Sequence, residues 1–359
     1  MRVVIAPDCF TGTIGASDAA AALAQGWRQA RPDDDLVLLP MADGGPGFLD
    51  VLPGDLVTVL VEDPLVRPTL ASFRLDGGTA YVESAQACGL HLLAEEDRDP
   101  AVTTTYGVGQ LVRAASEAGA ARVFVGLGGS ATNDGGAGFL AALGVRREGA
   151  DGERLPPGCL PLADAVRLVG TPLDVQLVAA TDVDNPLLGE QGATRVFAAQ
   201  KGGRDLDALE AALAHWADLV EAHLGPARDL PGAGAAGGLG FAVLAAGGTR
   251  VSGVQVVAEA VGLAQALVGA DLVITGEGSF DWQSLRGKVV AGVAAAGAEE
   301  GVPCIVVAGR TSVGRREAAA AGVEAAYSLT DEVGLEAALA DPAEALTTVA
   351  STVARAWSV

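Results

Sequence analysis

The chain has 359 residues, half of them apolar and 19% charged, which is material for two or three cored domains and excludes intrinsic disorder. Its 23 basic residues face 45 acidic ones, a formal net charge of −22. That balance excludes a nucleic-acid binder and argues against docking on anionic lipid, so an anionic ligand must find a local basic pocket, a metal ion or backbone amides. Cys9, Cys88, Cys159 and Cys304 have neither CxxC nor Cys/His zinc spacing and read as reduced thiols of a cytoplasmic protein. The opening MRVVIAPD is not expected to be a signal peptide. The uncharged stretch 230–249 is long enough to span a bilayer, but seven of its twenty residues are glycine. It reads as a glycine-rich loop running into a buried helix.

VVIA (3–6) predicts a strand, followed by an Ala-rich helix from Ser17, its expected N-cap, to about Ala30. LVLLPM (36–41) is a second strand, and together these make a βαβ beginning suited to a covered parallel sheet. The far end repeats the grammar: DLVITGEG (271–278), a helical stretch over 283–300, CIVVAG (304–309), a helix at 314–321, AAYSL (325–329) and a closing helix over 335–357. Two strands from the start and three from the end predict one five-stranded sheet. The expected domains are therefore 1–60 with 266–359, interrupted by an α/β insert over 61–265. Within the insert, strands are expected at 81–84, 122–129 and 175–185, and helices at 107–118, 136–143, 206–223 and 238–246.

GAGAAG (232–237) matches the dinucleotide fingerprint by letter, but Pro231 and the absence of a preceding apolar run argue against that function. GLGGSATNDGGAG (126–138) follows a strand and precedes a helix, the arrangement that presents backbone N–H groups to an oxyanion. Gly128, Gly129, Gly135 and Gly136 permit close approach, and Ser130, Thr132 and Asn133 add donors. Carboxylates recur at strand exits: Asp8, Asp43, Asp182, Asp184 and Glu277. The ligand edge of an open α/β sheet lies there, and such groups suit metal binding or general-base work. Only two basic residues, Lys201 and Lys288, are lysine. In so Arg-biased a chain a lysine marks a place for a compact ammonium, and Lys288 is expected to be buried beside glycines. The three histidines have no visible partners.

Together these segments resemble the type I glycerate kinase family of bacteria, essentially end to end. The resemblance rests on APD (6–8), ADGG (42–45), DPxVTT (99–104), GLGGSATNDGGAG (126–138), DVDNPLLGEQGA (182–193), QKG (200–202), GAGAAGGLG (232–240), TGEG (275–278) and DWQSLRGK (281–288). It implies ATP- and Mg2+-dependent phosphorylation of D-glycerate to 2-phosphoglycerate. It also implies a flavodoxin-like sheet of order 2-1-3-4-5 interrupted by a second α/β domain, which brings Asp8–Thr13 beside Thr275–Asp281. Asp8 or Asp43 is then the expected base, and Lys288 a contact to the transferring phosphate. Asp182 and Glu277 are the Mg2+ candidates. Contacts to phosphate or substrate are expected at Gly44, Gly45, Thr103, Thr104, Gly128, Gly129, Ser130, Asn133, Asp134, Gln200, Lys201, Gly234, Gly237, Gly276, Asp281, Gln283 and Ser284. Nucleic acid and membrane are not expected partners; a homodimer is allowed.

Five positions depart from the family pattern. Thr11 replaces a lysine, Pro46 an acid, Phe48 a threonine, Gln110 a glutamate and Ser279 an arginine. Those losses raise one alternative, a weak or inactive paralogue that binds glycerate or another small hydroxy acid as a sensor.

Overall fold

The computed structural model describes residues 1–10, 12–285 and 287–357. Thr11, one of the departures above, and Arg286 lie outside the described residues. In chain order the principal strands are β1 (Arg2–Ile5), β2 (Asp35–Leu38), β3 (Asp55–Glu62), β4 (Pro68–Asp76), β5 (Thr79–Glu83), β6 (Arg122–Gly126), β7 (Gln176–Ala180), β8 (Thr249–Val251), β9 (Leu272–Thr275), β10 (Cys304–Ala308) and β11 (Val323–Ser328). The chain divides into two compact units. The first comprises Met1–Asp43, Asp50–Leu52 and Ser252–Val359; the second, Gly44–Leu49 and Pro53–Val251.

The first unit holds a five-stranded, wholly parallel sheet in the order β2-β1-β9-β10-β11. Across the whole chain this is not 2-1-3-4-5, because β3 to β8 of the other unit intervene in sequence between β2 and β9. Residues Val3–Ile5, all of β9 and all of β10 are buried, as strands covered on both faces must be. The helix Ala16–Ala30 lies against the helix Pro342–Ala356 at Gly26, where a Cβ would collide with the carbonyl oxygen of Thr347. Thr347 in turn donates its hydroxyl to Ala22 O at 3.2 Å.

Three expectations are corrected here. The first helix starts at Ala16 with Gly15 as N-cap and no side-chain cap, so Ser17 lies in its first turn; burial of Ala16, Ala19 and Ala20 fixes that end. The helix expected over 283–300 begins at Val289, because the backbone before it is held in a turn by Asp281 and Ser284. The closing helix is two, Leu335–Ala340 and Pro342–Ala356. Pro342 lacks a donor to continue the first, and Asp341 caps the second by accepting from Glu344 N at 3.0 Å.

The second unit has a six-stranded sheet, β8-β7-β6-β5-β4-β3, parallel from β5 to β8 and antiparallel at β3 and β4. Residue 60 falls inside β3, which pairs with β4 from Asp55↔Leu75 to Glu62↔Pro68 and so belongs to this unit. Residue 265 falls inside the helix Leu263–Leu267, which belongs to the first unit. Phe73, Leu111, Phe139, Leu140, Trp216 and Phe241 centre the core. Among the described residues no helix is long and apolar enough to cross a membrane, and 230–249 is a turn leading into the buried helix Ala235–Ala245, interrupted at Ala236, Gly237 and Gly238 by left-handed backbone.

Candidate active site

In the first unit the exits of the adjacent strands β1 and β9 are tied together. Asp8 N donates to Gly276 O at 2.8 Å, and Cys9 N donates to Asp8 Oδ1 at 2.7 Å. Gly276 is required: a Cβ there would strike Val307 O of β10. Glu277 follows directly. Burial, then the nearby charge of Asp43, pushes the Asp8 carboxyl up to about 7, against the pull of Cys9 N. Burial likewise pushes Glu277 up to about 7, against hydrogen bonding from Ser284 and the charge of Lys288. Glu277 Oε1 is buried and has no hydrogen-bond partner among the described residues. Carboxyls that exchange protons near neutrality are the kind that serve as general bases.

Lys288 is the N-cap of the helix Val289–Glu299, with Nζ 3.9 Å from Asp43 Oδ2. Its side chain is 43% exposed, so the expected burial beside glycines is not found. Open space surrounds Gly287 instead. Asp281 Oδ1 accepts from Gln283 N at 2.8 Å, while Gln283 itself is exposed. Ser284 is buried; its Oγ accepts from Asp281 N at 3.0 Å and donates to Ser279 O at 3.3 Å. Asp8, Asp43, Glu277, Asp281 and Lys288 thus share one electrostatic neighbourhood. Sequence reasoning missed Arg310. It donates through Nε to Ser279 Oγ at 3.0 Å, so a guanidinium from the paired segment lies beside Ser279. Nothing in the spacing announces that partnership.

In the second unit the β6 exit runs against the segment Gly44–Pro46. A Cβ on Gly128 would lie 2.6 Å from Gly45 Cα, one on Gly126 2.6 Å from Gly44 O, and one on Gly129 2.8 Å from Pro46 Cγ. Phe48 is fully buried, edge-on to Tyr81, so its departure fills core. Gln110 accepts from Glu62 N at 2.8 Å, a structural use. Lys201 is the buried lysine. Its Nζ donates to Ser130 Oγ at 2.9 Å and Thr132 O at 2.8 Å, and burial pulls its pKa down to about 8. Gln200 beside it is exposed. Asn133 donates to Thr194 Oγ1 at 3.0 Å, leaving its buried Oδ1 unpaired among the described residues.

Asp134 is completely buried and acts as a hub for this loop. It accepts from Thr105 N at 2.9 Å, Gly136 N at 3.1 Å, Gly138 N at 3.1 Å and the hydroxyls of Thr104 and Thr105. Thr103 is buried and donates to Ala131 O at 2.9 Å. The GAGAAGG segment packs on the same loop. Gly135 N donates to Gly237 O at 3.0 Å, a Cβ on Gly237 would strike Thr132 O, and Gly234 N donates to Asn185 O at 2.9 Å. Gly234, Gly237 and Gly238 therefore serve backbone-to-backbone contact, the first with residues 185–186 and the others with the 132–135 turn. Asp184 is taken up by Arg250 at 2.6 Å, and Asp182 is half-buried just past β7. Among the described residues no three His, Cys, Asp or Glu side chains converge as a metal cage.

The model of the glycerate kinase family matches residues 3–358. The chain belongs to the glycerate kinase family. It is 41% identical to a glycerate kinase of Bacillus subtilis (strain 168), covering 99% of this chain and 97% of that one. It is 38% identical to a glycerate 2-kinase of Escherichia coli (strain K12), covering 93% and 92%. An uncharacterised protein of Mycobacterium bovis is 44% identical over 99% of this chain and 91% of its own. Among solved structures, a chain assigned as glycerate kinase 2 from Salmonella typhimurium LT2 superposes with a TM-score of 0.85 at 37% identity, covering 99% and 98%.

Proposed function

We propose that this family member transfers the γ-phosphate of ATP to D-glycerate, with Mg2+, giving 2-phosphoglycerate. The observation that carries the reading is the carboxylate group at the exits of β1 and β9, where Asp8 and Glu277 are both poised near neutrality beside Asp43 and Lys288. Phosphoryl transfer asks a protein mainly for positioning, charge neutralisation and a base near the hydroxyl. Asp8 is the base: it accepts the hydroxyl proton while the substrate oxygen bonds to phosphorus and ADP departs. Lys288 contributes its ammonium to the transferring phosphate, and the Arg310 guanidinium adds charge at Ser279.

The residues also fit Mg2+. This ion takes hard oxygens, commonly one or two carboxylates completed by water and phosphate, so no three-residue cage is required. Glu277, whose Oε1 has no partner among the described residues, and Asp43 or Asp281 would hold it; Asp182 lies in the second unit, just past β7. Bound there, Mg2+ supplies neutralisation of phosphate charge. In the second unit, Gly44, Gly45 and the Gly128–Asn133 backbone are proposed to receive an anionic group. Lys201 and Asp134 hold that loop in shape from beneath.

A flavodoxin-like description of the five-stranded sheet is supported by its order, which reads 2-1-3-4-5 when only its own strands are numbered. The 2-phospho product is supported by the name of the Escherichia coli relative. A cytoplasmic location accords with four free thiols. A homodimer is supported by Leu60 and Leu70, cross-strand partners each 69% exposed.

The test is ADP release from Mg-ATP with D-glycerate, with L-glycerate and no acceptor as controls. Acceptor-dependent turnover is expected. Background turnover, with D-glycerate still raising the melting temperature, would replace the kinase by the sensor.

A further inference from the structure

The second unit contains a basic cavity that the reading above does not use. It encloses about 290 Å³, at the lower end of small-molecule sites, in a chain of net charge −22. Three arginines line it: Arg146 and Arg147 from the short strand Arg146–Glu148, and Arg154, which bridges back to that strand at Glu148. None of the three makes an ion pair with a described residue, although acidic residues outnumber basic ones almost two to one.

Arg147 is the telling member. It is only 9% exposed, and although a terminal nitrogen donates to Pro156 O, its Nε is buried with no hydrogen-bond partner among the described residues. A buried charged donor left unpaired is costly, and an acceptor brought by a ligand is one way to meet that cost. Opposite charge is not the whole lining. Glu62 and the ring of Tyr106 also face the cavity, offering an acceptor and a partner to a hydroxylated, partly carbon ligand.

We propose that this cavity is a second ligand site, taking a small phosphate monoester that also carries hydroxyl groups, with the phosphate on the arginines and a hydroxyl on Glu62. The site reaches the glycine-rich loop. Thr104 and Gly138 form part of its wall, and Asp134 accepts from both, through Thr104 Oγ1 at 3.3 Å and Gly138 N at 3.1 Å. Occupancy is thereby registered at the carboxylate that shapes that loop. The monoester could be the proposed phosphorylated product or an unrelated metabolite, and these are separate arms of one experiment.

The experiment is isothermal titration of the full-length protein with 2-phosphoglycerate, glycerol 3-phosphate and inorganic phosphate, comparing the parent with Arg154→Ala and Arg147→Met. At least one ester should bind the parent, and both variants should weaken that binding about tenfold or more, as expected for losing a charge-assisted contact. Turnover with Mg-ATP and D-glycerate at low product should stay within about twofold of the parent. Preference for 2-phosphoglycerate makes the ligand the product; preference for glycerol 3-phosphate makes it another metabolite. Should Arg147→Met fail to fold, the exposed Arg154→Ala still decides. Equal affinity in parent and Arg154→Ala, or no binding of any ester tighter than about 10 mM, overturns the proposal.

Discussion

Replacing Asp8 by asparagine separates the electrostatic cost of the carboxylate group from its use. The Asp8 carboxyl moves from 3.8 to about 7 on folding, chiefly through burial and the charge of Asp43. The folded chain thus holds this proton more tightly than the unfolded chain. The stability so gained is complete below about pH 3.8 and is lost as pH climbs to about 7. A shift of roughly three units is worth about 4 kcal/mol at most, and about 2.7 kcal/mol of it is lost between pH 5 and pH 8.5. Asparagine keeps an oxygen for Cys9 N but has nothing to ionise. Its advantage should therefore grow with pH, giving an apparent Tm above the parent by a few degrees at pH 8.5 and by less at pH 5, in metal-free buffer. Mg2+ should close the gap by stabilising the parent more, while kcat of the variant falls by about a hundredfold or more. A Tm difference that is independent of pH, or an Asn variant less stable than the parent at pH 8.5, would refute the burial argument.

Substitutions at two glycines and at the two lysines probe the packing and the charge. Gly237→Ala combines φ of +68° with a collision on Thr132 O and should cost about 3 kcal/mol or more in urea unfolding. Gly189→Ala, at φ +87° but with open space around it, should cost only about 1 kcal/mol. Lys201→Arg must fit a planar guanidinium where the ammonium is 4% exposed, so a loss of about 1–3 kcal/mol of stability is expected by thermal melt. Lys288 is half-exposed, so Lys288→Arg should keep kcat within about tenfold, whereas Lys288→Met should lower it about a hundredfold in the ADP-release assay.

The parallel sheet was legible because β1, β9 and β10 are unbroken apolar runs with abrupt polar exits. The helix Leu206–His223 was legible to the residue, with Asp205 accepting from Ala208 N before it. The β3–β4 hairpin was not. Its outer face carries exposed Leu56, Leu60 and Leu70, which blurs the alternation, and Pro68 opens a strand where it reads as a loop. At the site, strand-exit carboxylates pointed to Asp8 and Glu277 because sequence position alone puts a residue at a sheet edge. The scarcity of lysine pointed to a demanding environment, which the structure gives to Lys201 and not to Lys288. Asp134 looked like a ligand contact, yet its oxygens face five groups of its own unit. Arg310 at Ser279 and the arginine-lined cavity depend on contacts between distant segments, which no local pattern encodes.

The proposed transfer of phosphate from ATP to the 2-hydroxyl of D-glycerate by the Asp8 and Glu277 group is best tested by phosphorus NMR of the complete reaction. The γ-phosphate signal of ATP should decline in step with a new phosphomonoester coupled to the C2 proton, and Asp8→Asn should abolish that growth over the same hours. Release of inorganic phosphate alone, a monoester on C3, or undiminished product from Asp8→Asn would contradict it.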